Sequence, residues 1–285
     1  MAKRGKIIQL PLFSFLDPEP AAESHEISRE IEPTLEPSLA PSLAPSHDLH
    51  SELLEAEESE LKGRRVENES PQAKMEFVLG LRVRGIADVN VLRALELVPR
   101  EAFAPHKYRD LALRDVALPI ACGQTMPEPF LVARMIEALR VEPGQRVLEI
   151  GTGSGYATAI LASLGAKVVS YERFKTLAHA AQTRLAQLAP ANVSVVWGDG
   201  LALAADSGPY DRILVHGVLN QEPDHFLELL ADGGVIVAGR RQEGVAKQEA
   251  VTKIVRYAHK QSGFERQEIG LARMPALLEG LSQVL

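Results

Sequence analysis

Along the second half of the chain, short apolar runs that predict strands alternate with segments whose apolar residues have helical spacing. The apolar runs that predict buried strands lie at 146–150, 167–171, 193–197, 211–215 and 234–238. The segments with helical spacing lie between them, at 156–164, 174–188 and 223–230. Such alternation is typical of a parallel sheet whose strands are connected by crossover helices.

The pattern changes after Gly244, where two further strands are predicted. They span 249–257 and 264–269, and the Ser-Gly pair between them favours a tight turn, so we expect an antiparallel hairpin at the sheet edge. The sequence therefore predicts an α/β fold, with a Rossmann-like, doubly wound and mostly parallel sheet followed by a C-terminal antiparallel hairpin.

Two helical segments precede this sheet. Residues 73–85 have helical spacing and end at a glycine, and Asp88 is predicted to cap a second helix. We therefore expect an N-terminal helical accessory unit over 71–115 and the α/β domain over 116–285.

The composition changes near residue 70. The residues before it are rich in Pro, Ser, Glu and Ala and contain a four-residue repeat at 37–45. Such a segment buries too little apolar surface to offset the entropy lost on ordering. We therefore expect a disordered N-terminal tail over 1–70.

A short apolar segment in this tail resembles the peptides with which bacterial replication proteins dock on the sliding clamp. It consists of Gln9, Leu10, Pro11, Leu12 and Phe13. Two leucines and a phenylalanine on a flexible tail would suit a hydrophobic groove. The alternatives are a chance apolar patch and a segment packed onto the domain, because five residues often match by chance.

Composition and charge limit the class of protein. The chain has 285 residues, of which 46% are apolar, and a formal net charge of −7 without a dense block of Lys and Arg, so we expect no nucleic-acid partner. The single cysteine, Cys122, excludes an internal disulfide and a cysteine-based zinc site, and we expect no metal. No clean signal peptide precedes the domain, and no run approaches the ~20 apolar residues of a membrane span. Without a signal peptide or a membrane span, we expect a soluble cytoplasmic protein.

A glycine-rich loop connects the strand at 146–150 to the helix that follows it. The loop residues are Gly151, Thr152, Gly153, Ser154 and Gly155. Glycines permit unusual φ angles and a close approach of the backbone to a ligand. Ligands of open α/β sheets bind at the carboxyl ends of the strands, so we expect these five residues to bind a cofactor. An ordinary tight turn is the alternative.

Two carboxylates follow the next two strands. Glu172 ends the second strand, 21 residues after the first loop glycine, where a carboxylate can accept hydrogen bonds from both ribose hydroxyls of a nucleotide. Asp199 follows the third strand and is placed to accept from an adenine amino group, with Gly200 letting the loop wrap the base. A surface glutamate and an ordinary turn are the alternatives.

The spacing of the glycines distinguishes two classes of cofactor. Nicotinamide enzymes usually carry G-x-G-x-x-G, with a pyrophosphate at the helix N-terminus, whereas this loop is G-x-G-x-G. Together with Glu149 two residues before the loop, Asp199 after the third strand and the terminal hairpin, this spacing favours S-adenosyl-L-methionine. We count Glu149 among the cofactor-binding residues.

These residues resemble the protein-L-isoaspartate O-methyltransferase family over about 81–275. The matching segments are 98–105, 117–120, 123–125 and 146–155. The resemblance implies an enzyme that methylates the carboxylate of L-isoaspartyl residues in damaged proteins, a repair reaction. It also implies that Gly151, Gly153, Glu172 and Asp199 hold the cofactor, and that Gln124 and Thr125 lie on the substrate side.

The sequence departs from the family pattern at two places. Where the family has a serine that helps to hold the substrate carboxylate, this chain has Pro127, which lacks a hydroxyl and a backbone N–H. Where the family has a small Thr-Ala-Ala run after the fourth strand, this chain has a His-Gly-Val run that begins at His216. We therefore take Thr125, Gln124 and His216 as candidate catalytic residues, with a structural role at the strand end as the alternative for His216.

Thr125 and Glu128 also fit a helix start, with Thr125 as the N-cap and Glu128 as its capping-box partner. Two other functions stay open at this point. One is a methyltransferase of the same fold that acts on another acceptor, and the other is a cofactor-binding interaction protein with little turnover.

Overall fold

The computed structural model describes residues 70–188, 192–241, 251–260 and 263–282. The predictions for the tail, including the segment from Gln9 to Phe13, concern residues that, apart from Ser70, lie outside this part of the chain. None of the helices in the described ranges is both long and apolar enough to cross a membrane.

The strands form one large and one small sheet. They are β1 (Leu118–Pro119), β2 (Thr125–Met126), β3 (Arg146–Ile150), β4 (Lys167–Glu172), β5 (Val193–Trp197), β6 (Tyr210–Leu219), β7 (Leu230–Arg240), β8 (Val251–Lys260) and β9 (Gly263–Arg273). The large sheet has the order β5-β4-β3-β6-β7-β8-β9. Its strands are parallel from β5 to β7, and β8 and β9 are antiparallel at the edge. The predicted fold class is therefore confirmed.

Five α-helices lie in the described ranges. They are α1 (Pro71–Val83), α2 (Val89–Leu97), α3 (Pro129–Leu139), α4 (Tyr156–Ser163) and α5 (Lys175–Leu188). The predicted helix near 223–230 is a 3-10 helix, Asp224–Leu229. The predicted cap at Asp88 is confirmed, because its carboxylate accepts from the backbone N–H groups of Asn90 and Val91 at 2.8 and 3.2 Å.

The N-terminal helices share a hydrophobic core with the sheet. Leu81 of α1 and Leu95 of α2 are buried in the same cluster as Val147 of β3 and Ile160 of α4. The two accessory helices also pack against α3.

The large sheet reverses its winding direction between β3 and β6. From β3 the chain continues outward to β4 and β5, and it then returns to place β6 and β7 on the other side of β3. In sheets of this kind the crevice at the carboxyl ends of the strands beside the reversal is where ligands bind.

Candidate functional site

A cleft of about 430 Å³ opens at this reversal point, a volume within the range of small-molecule sites. The cleft is lined by residues that are far apart in the sequence. The predicted site residues that line it are Gln124, Thr125, Gly151, Thr152, Gly153, Ser154, Glu172, Asp199, Gly200 and His216. Two predicted cofactor residues, Glu149 and Gly155, do not line the cleft.

The glycine loop has a backbone that glycine adopts more easily than other residues. The φ angles are +92° at Gly151, +56° at Gly153 and +89° at Gly155. A Cβ at Gly151 would lie 3.2 Å from the Cβ of His216, and one at Gly155 would lie 3.3 Å from the side chain of Leu185. The first glycine therefore lets the loop lie against β6, and the third lets α4 start close to α5.

Glu172 ends β4 and is nearly buried, with 5% of its surface exposed. One carboxylate oxygen accepts from the backbone N–H of Gly153 at 2.8 Å, and the other accepts from that of Phe174 at 3.0 Å. Burial raises the pKa of this carboxyl, and the backbone hydrogen bonds oppose the increase. Since a carboxylate offers about four acceptor positions, both oxygens keep capacity for a ligand in the cleft.

Asp199 is also held by two backbone N–H groups. One oxygen accepts from Leu201 at 2.9 Å, and the other accepts from Gly280 at 2.6 Å. A Cβ at Gly200 would lie 3.1 Å from side-chain carbons of Ile150 and Tyr171. This loop therefore lies directly on the apolar floor of the cleft.

Residues 274–282, which we call the strap, run along one wall of the cleft. The carbonyl of Pro275 accepts from the N–H of Val218 at 2.9 Å, and the guanidinium of Arg173 donates to the carbonyl of Gly280 at 2.9 Å. A Cβ at Gly217 would lie 2.5 Å from a methyl carbon of Leu277, so a larger residue there would displace the Leu277 side chain. The strap has no hydrophobic periodicity and no motif, so no sequence pattern predicts it.

Glu149 lies fully buried beneath the glycine loop. One carboxylate oxygen accepts from the hydroxyls of Thr158 and Ser170, and the other is 2.9 Å from Nε2 of His216. Because Ser170 donates its only hydroxyl proton to Glu149, its oxygen accepts from the hydroxyl of Thr152 at 2.6 Å. Glu149 thus joins the glycine loop to the end of β6 through partners inside the protein.

His216 stands at an irregularity in β6. Between the pairs Leu214–Val237 and Val218–Gly239, three residues of β6 lie opposite one residue of β7. A bulge of this kind bends the strand and turns a side chain to a new direction, and bulges are common beside active sites. The side chain of His216 consequently faces the cleft while its backbone lies below the glycine loop.

Gln124 and Thr125 lie on a small hairpin that β1 and β2 form. Thr125 pairs with Pro119, and the turn between the strands contains left-handed residues at Cys122 and Gly123, with φ of +58° and +65°. The side-chain amide of Gln124 donates to the carbonyl of Cys122 at 3.2 Å. The hairpin thus forms the wall of the cleft on the side of α3.

The predicted helix start at Thr125 is wrong. Thr125 belongs to β2, and α3 begins at Pro129 with Glu128 as the N-cap residue, whose side chain makes no capping hydrogen bond among the described residues. The carboxylate of Asp115 caps the helix instead, accepting from the N–H of Phe130 at 2.9 Å. A partner distant in sequence has replaced the local cap.

Arg100 stabilises the segment that carries the small hairpin. Its side chain is buried, and its guanidinium donates to the carbonyls of Ala112 at 2.5 Å, Pro127 at 2.7 Å and Val116 at 3.4 Å. One side chain therefore connects three points of the segment that carries the small hairpin. Burial lowers the pKa of Arg100, and the nearby Tyr156, Asp115 and Glu128 oppose this. In the sequence, Arg100 is one residue of the matching segment 98–105, and no pattern there indicates these contacts.

The sequence matches the family model of Protein-L-isoaspartate(D-aspartate) O-methyltransferase over residues 72–265. It is 47% identical over 215 residues to Protein-L-isoaspartate O-methyltransferase 2 of Rhodopseudomonas palustris, covering 75% of this chain and 97% of the relative. It is 45% identical over 220 residues to Protein-L-isoaspartate O-methyltransferase of Xanthobacter autotrophicus, covering 77% and 98%.

A solved structure shows the same fold. It is a beta-aspartate methyltransferase from Plasmodium falciparum in complex with S-adenosyl-L-homocysteine, with a TM-score of 0.61 and 20% sequence identity. The superposition covers 71% of this chain and 97% of that protein.

Proposed function

Because the chain belongs to the protein-L-isoaspartate(D-aspartate) O-methyltransferase family, we propose that it uses S-adenosyl-L-methionine to methylate the carboxylate of L-isoaspartyl residues in damaged proteins. One observation carries the proposal: the glycine loop with Glu172 and the hairpin with Gln124 and Thr125 line the same cleft. A donor held by the first set and an acceptor held by the second would meet inside it. The role of the reaction would be protein repair.

The residues on the donor side fit S-adenosyl-L-methionine. Glu172 keeps acceptor capacity on both oxygens for two ribose hydroxyls, and Asp199 keeps capacity for an adenine amino group. Ile150 and Tyr171 supply apolar surface beside them. The open backbone of the glycine loop allows the ligand to approach closely.

The reaction requires little acid–base chemistry from the protein. When bound, S-adenosyl-L-methionine supplies a sulfonium methyl group that an anionic oxygen can attack. A carboxyl group with a pKa near ~4 is already ionised at neutral pH, so no general base is needed. The chain has to align the carboxylate and exclude water, and alignment of this kind contributes about 7–11 kcal/mol in favourable cases.

On the acceptor side we assign substrate contacts to Gln124, Thr125 and His216. Pro127 lies between them and α3 and offers neither a hydroxyl nor an N–H, and its carbonyl is occupied by Arg100. The donors for an acceptor carboxylate must therefore come from other residues of the cleft.

The test is a methylation assay on purified full-length protein with labelled S-adenosyl-L-methionine and a peptide that contains one L-isoaspartyl residue. We expect a base-labile methyl ester on that peptide and none on the matched peptide with normal aspartate. Binding of the cofactor without ester formation on the isoaspartyl peptide would show that the acceptor is another molecule.

Cofactor affinity should depend on pH through Glu172. Burial raises the pKa of this carboxyl above its ordinary 4.5, and the ionised form is the one that accepts from two hydroxyls. Affinity should therefore decrease as the pH falls through the raised pKa, starting above pH 4.5. Titration calorimetry with S-adenosyl-L-homocysteine between about pH 5 and pH 8 measures this. A Glu172→Gln variant with the same pH dependence would assign the effect to another group.

We also propose that the protein acts in the cytoplasm.

A separate proposal concerns the segment from Gln9 to Phe13, which we propose docks on the sliding clamp. The clamp proposal is supported by the two leucines and the phenylalanine of that segment. A pull-down with purified clamp should therefore recover the full-length chain, and a Phe13→Ala variant should be lost from it. Equal recovery of the variant would exclude this docking mode.

A further inference from the structure

We infer that the imidazolium form of His216 donates from Nδ1 to the carboxylate of the methyl acceptor, and that Glu149 is a positioning residue that holds the ring through Nε2. This inference rests on the proposed function, because it assigns acceptor recognition in the same cleft. It gives Glu149 a role other than the cofactor contact expected from the sequence.

The first step concerns the hydrogen bond at Nε2. Glu149 lies 2.9 Å from this nitrogen and is fully buried, and an ionised carboxylate can only accept hydrogen bonds. Nε2 therefore carries a proton, and this N–H donates a hydrogen bond to Glu149. The neighbouring oxygen of Glu149 is occupied by the hydroxyls of Thr158 and Ser170, so the ring is held at one place.

The second step concerns the nitrogen that remains. Among the residues that the structure describes, Nε2 is the ring atom with a hydrogen-bond partner, and Nδ1 has none. The side chain of His216 is 12% exposed, and it lines the cleft. The bulge in β6 provides the change of direction that such a placement requires. Nδ1 is thus available to a molecule in the cleft.

The third step concerns charge. The hydroxyls of Thr158 and Ser170 donate hydrogen bonds to Glu149 but carry no charge, and the group bonded to Glu149 that can become cationic is His216. Because Nε2 is hydrogen-bonded to Glu149, the imidazolium form of the ring presents Nδ1–H to the cleft. An anionic oxygen is the ligand that such a donor binds best. The acceptor class is therefore a carboxylate.

The other cations of the cleft are placed differently. Arg173 donates to the carbonyls of Glu279 and Gly280 in the strap, at 3.4 and 2.9 Å. Arg273 lies at the end of β9 and is exposed. Among the described residues, neither arginine is hydrogen-bonded to a fully buried carboxylate as His216 is.

Two substitutions separate the two ring nitrogens. In His216→Gln, the amide can occupy the place of Nε2 and keep the contact with Glu149, but nothing replaces Nδ1. In His216→Asn, the shorter amide lies near the place of Nδ1 and does not reach Glu149. If His216 acted only by stabilising Glu149, the Asn variant would lose more peptide affinity than the Gln variant. If Nδ1 binds the acceptor, the Gln variant loses more.

The experiment uses full-length protein saturated with S-adenosyl-L-homocysteine, an isoaspartyl peptide and titration calorimetry, followed by steady-state methylation. We expect His216→Gln to raise both the Kd and the KM for the peptide about 10- to 100-fold, because a hydrogen bond to a charged group is lost. The Kd for S-adenosyl-L-homocysteine should stay within about twofold, and His216→Asn should recover part of the peptide affinity. Arg93→Gln, on the exposed side of α2 and outside the cleft, should bind the peptide as the unaltered chain does.

The outcomes distinguish this inference from the proposed function. An unaltered chain that methylates the peptide, combined with a His216→Gln variant whose Kd and KM are unchanged, overturns only the inference about His216. A Gln variant that binds better than the Asn variant also overturns it. An unaltered chain that neither binds nor methylates the peptide overturns both.

Discussion

Replacing Glu172 by alanine should weaken the binding of S-adenosyl-L-methionine by about 10²- to 10⁴-fold. The estimate assumes that two hydrogen bonds to a charged acceptor are lost, each contributing about 1.5–3 kcal/mol. Glu172 is 5% exposed, so solvent screens these bonds little. The alanine also removes the acceptor for the N–H groups of Gly153 and Phe174, which hold the loop in shape. Titration calorimetry with the cofactor and with S-adenosyl-L-homocysteine measures the loss.

Two controls separate the ribose contact from damage to the fold. Glu172→Gln keeps the volume but removes the charge and one acceptor, so it should lose affinity with a smaller change in thermal stability. Glu96 lies exposed on α2, away from the cleft, and Glu96→Gln should bind as the unaltered chain does. Unchanged affinity in both Glu172 variants would reject the ribose assignment.

Replacing Arg100 by methionine should destabilise the protein by about 2–5 kcal/mol. Two effects oppose each other, because a buried charge is removed at the same time as the donors for three carbonyls. We expect the loss of hydrogen bonds to outweigh the removal of the buried charge. The carbonyls of Ala112 and Pro127 accept from Arg100 at 2.5 and 2.7 Å, and they would be left without this buried donor. The melting temperature should fall by roughly 5–15 °C in a domain of this size.

Arg100→Lys and Arg93→Met are the matched controls for this prediction. Lysine keeps the charge but cannot donate to three carbonyls as the guanidinium does. The stability of Arg100→Lys should therefore lie between that of the unaltered chain and that of Arg100→Met. Arg93 is exposed on α2, and its replacement should change the melting temperature little. A higher melting temperature for Arg100→Met would mean that the cost of burying the charge exceeds the value of the hydrogen bonds.

Much of the fold follows from patterns that are local in sequence. The strand at 193–197 and the cap at Asp88 were predicted as they are observed, because strand burial and helix capping depend on residues close along the chain. Glu172 and Asp199 could be assigned to one site from the sequence, since the carboxyl ends of parallel strands meet at the same edge of a sheet. The positive φ angles of the loop glycines have the same local origin.

Local reasoning failed where a distant residue supplied the partner. Thr125 and Glu128 match a capping box, but pairing with Pro119 draws Thr125 into β2, and Asp115 caps α3 in its place. A sequence pattern cannot weigh a local hydrogen bond against a contact that exists only after folding.

The sequence by itself determined the succession of the seven strands of the large sheet along the chain, the glycine loop and the two carboxylates beside it, because each depends on the spacing of neighbouring residues. Only the tertiary structure decided what lies around them. It placed Gly280 on Asp199 across 81 residues and Glu149 on His216 across 67. Such contacts depend on how the elements pack, and hydrophobic packing is not directional enough for a pattern of apolar residues to specify them. The residues of the proposed acceptor side are therefore brought together only by the fold, whereas those of the proposed donor side can be expected together from the sequence.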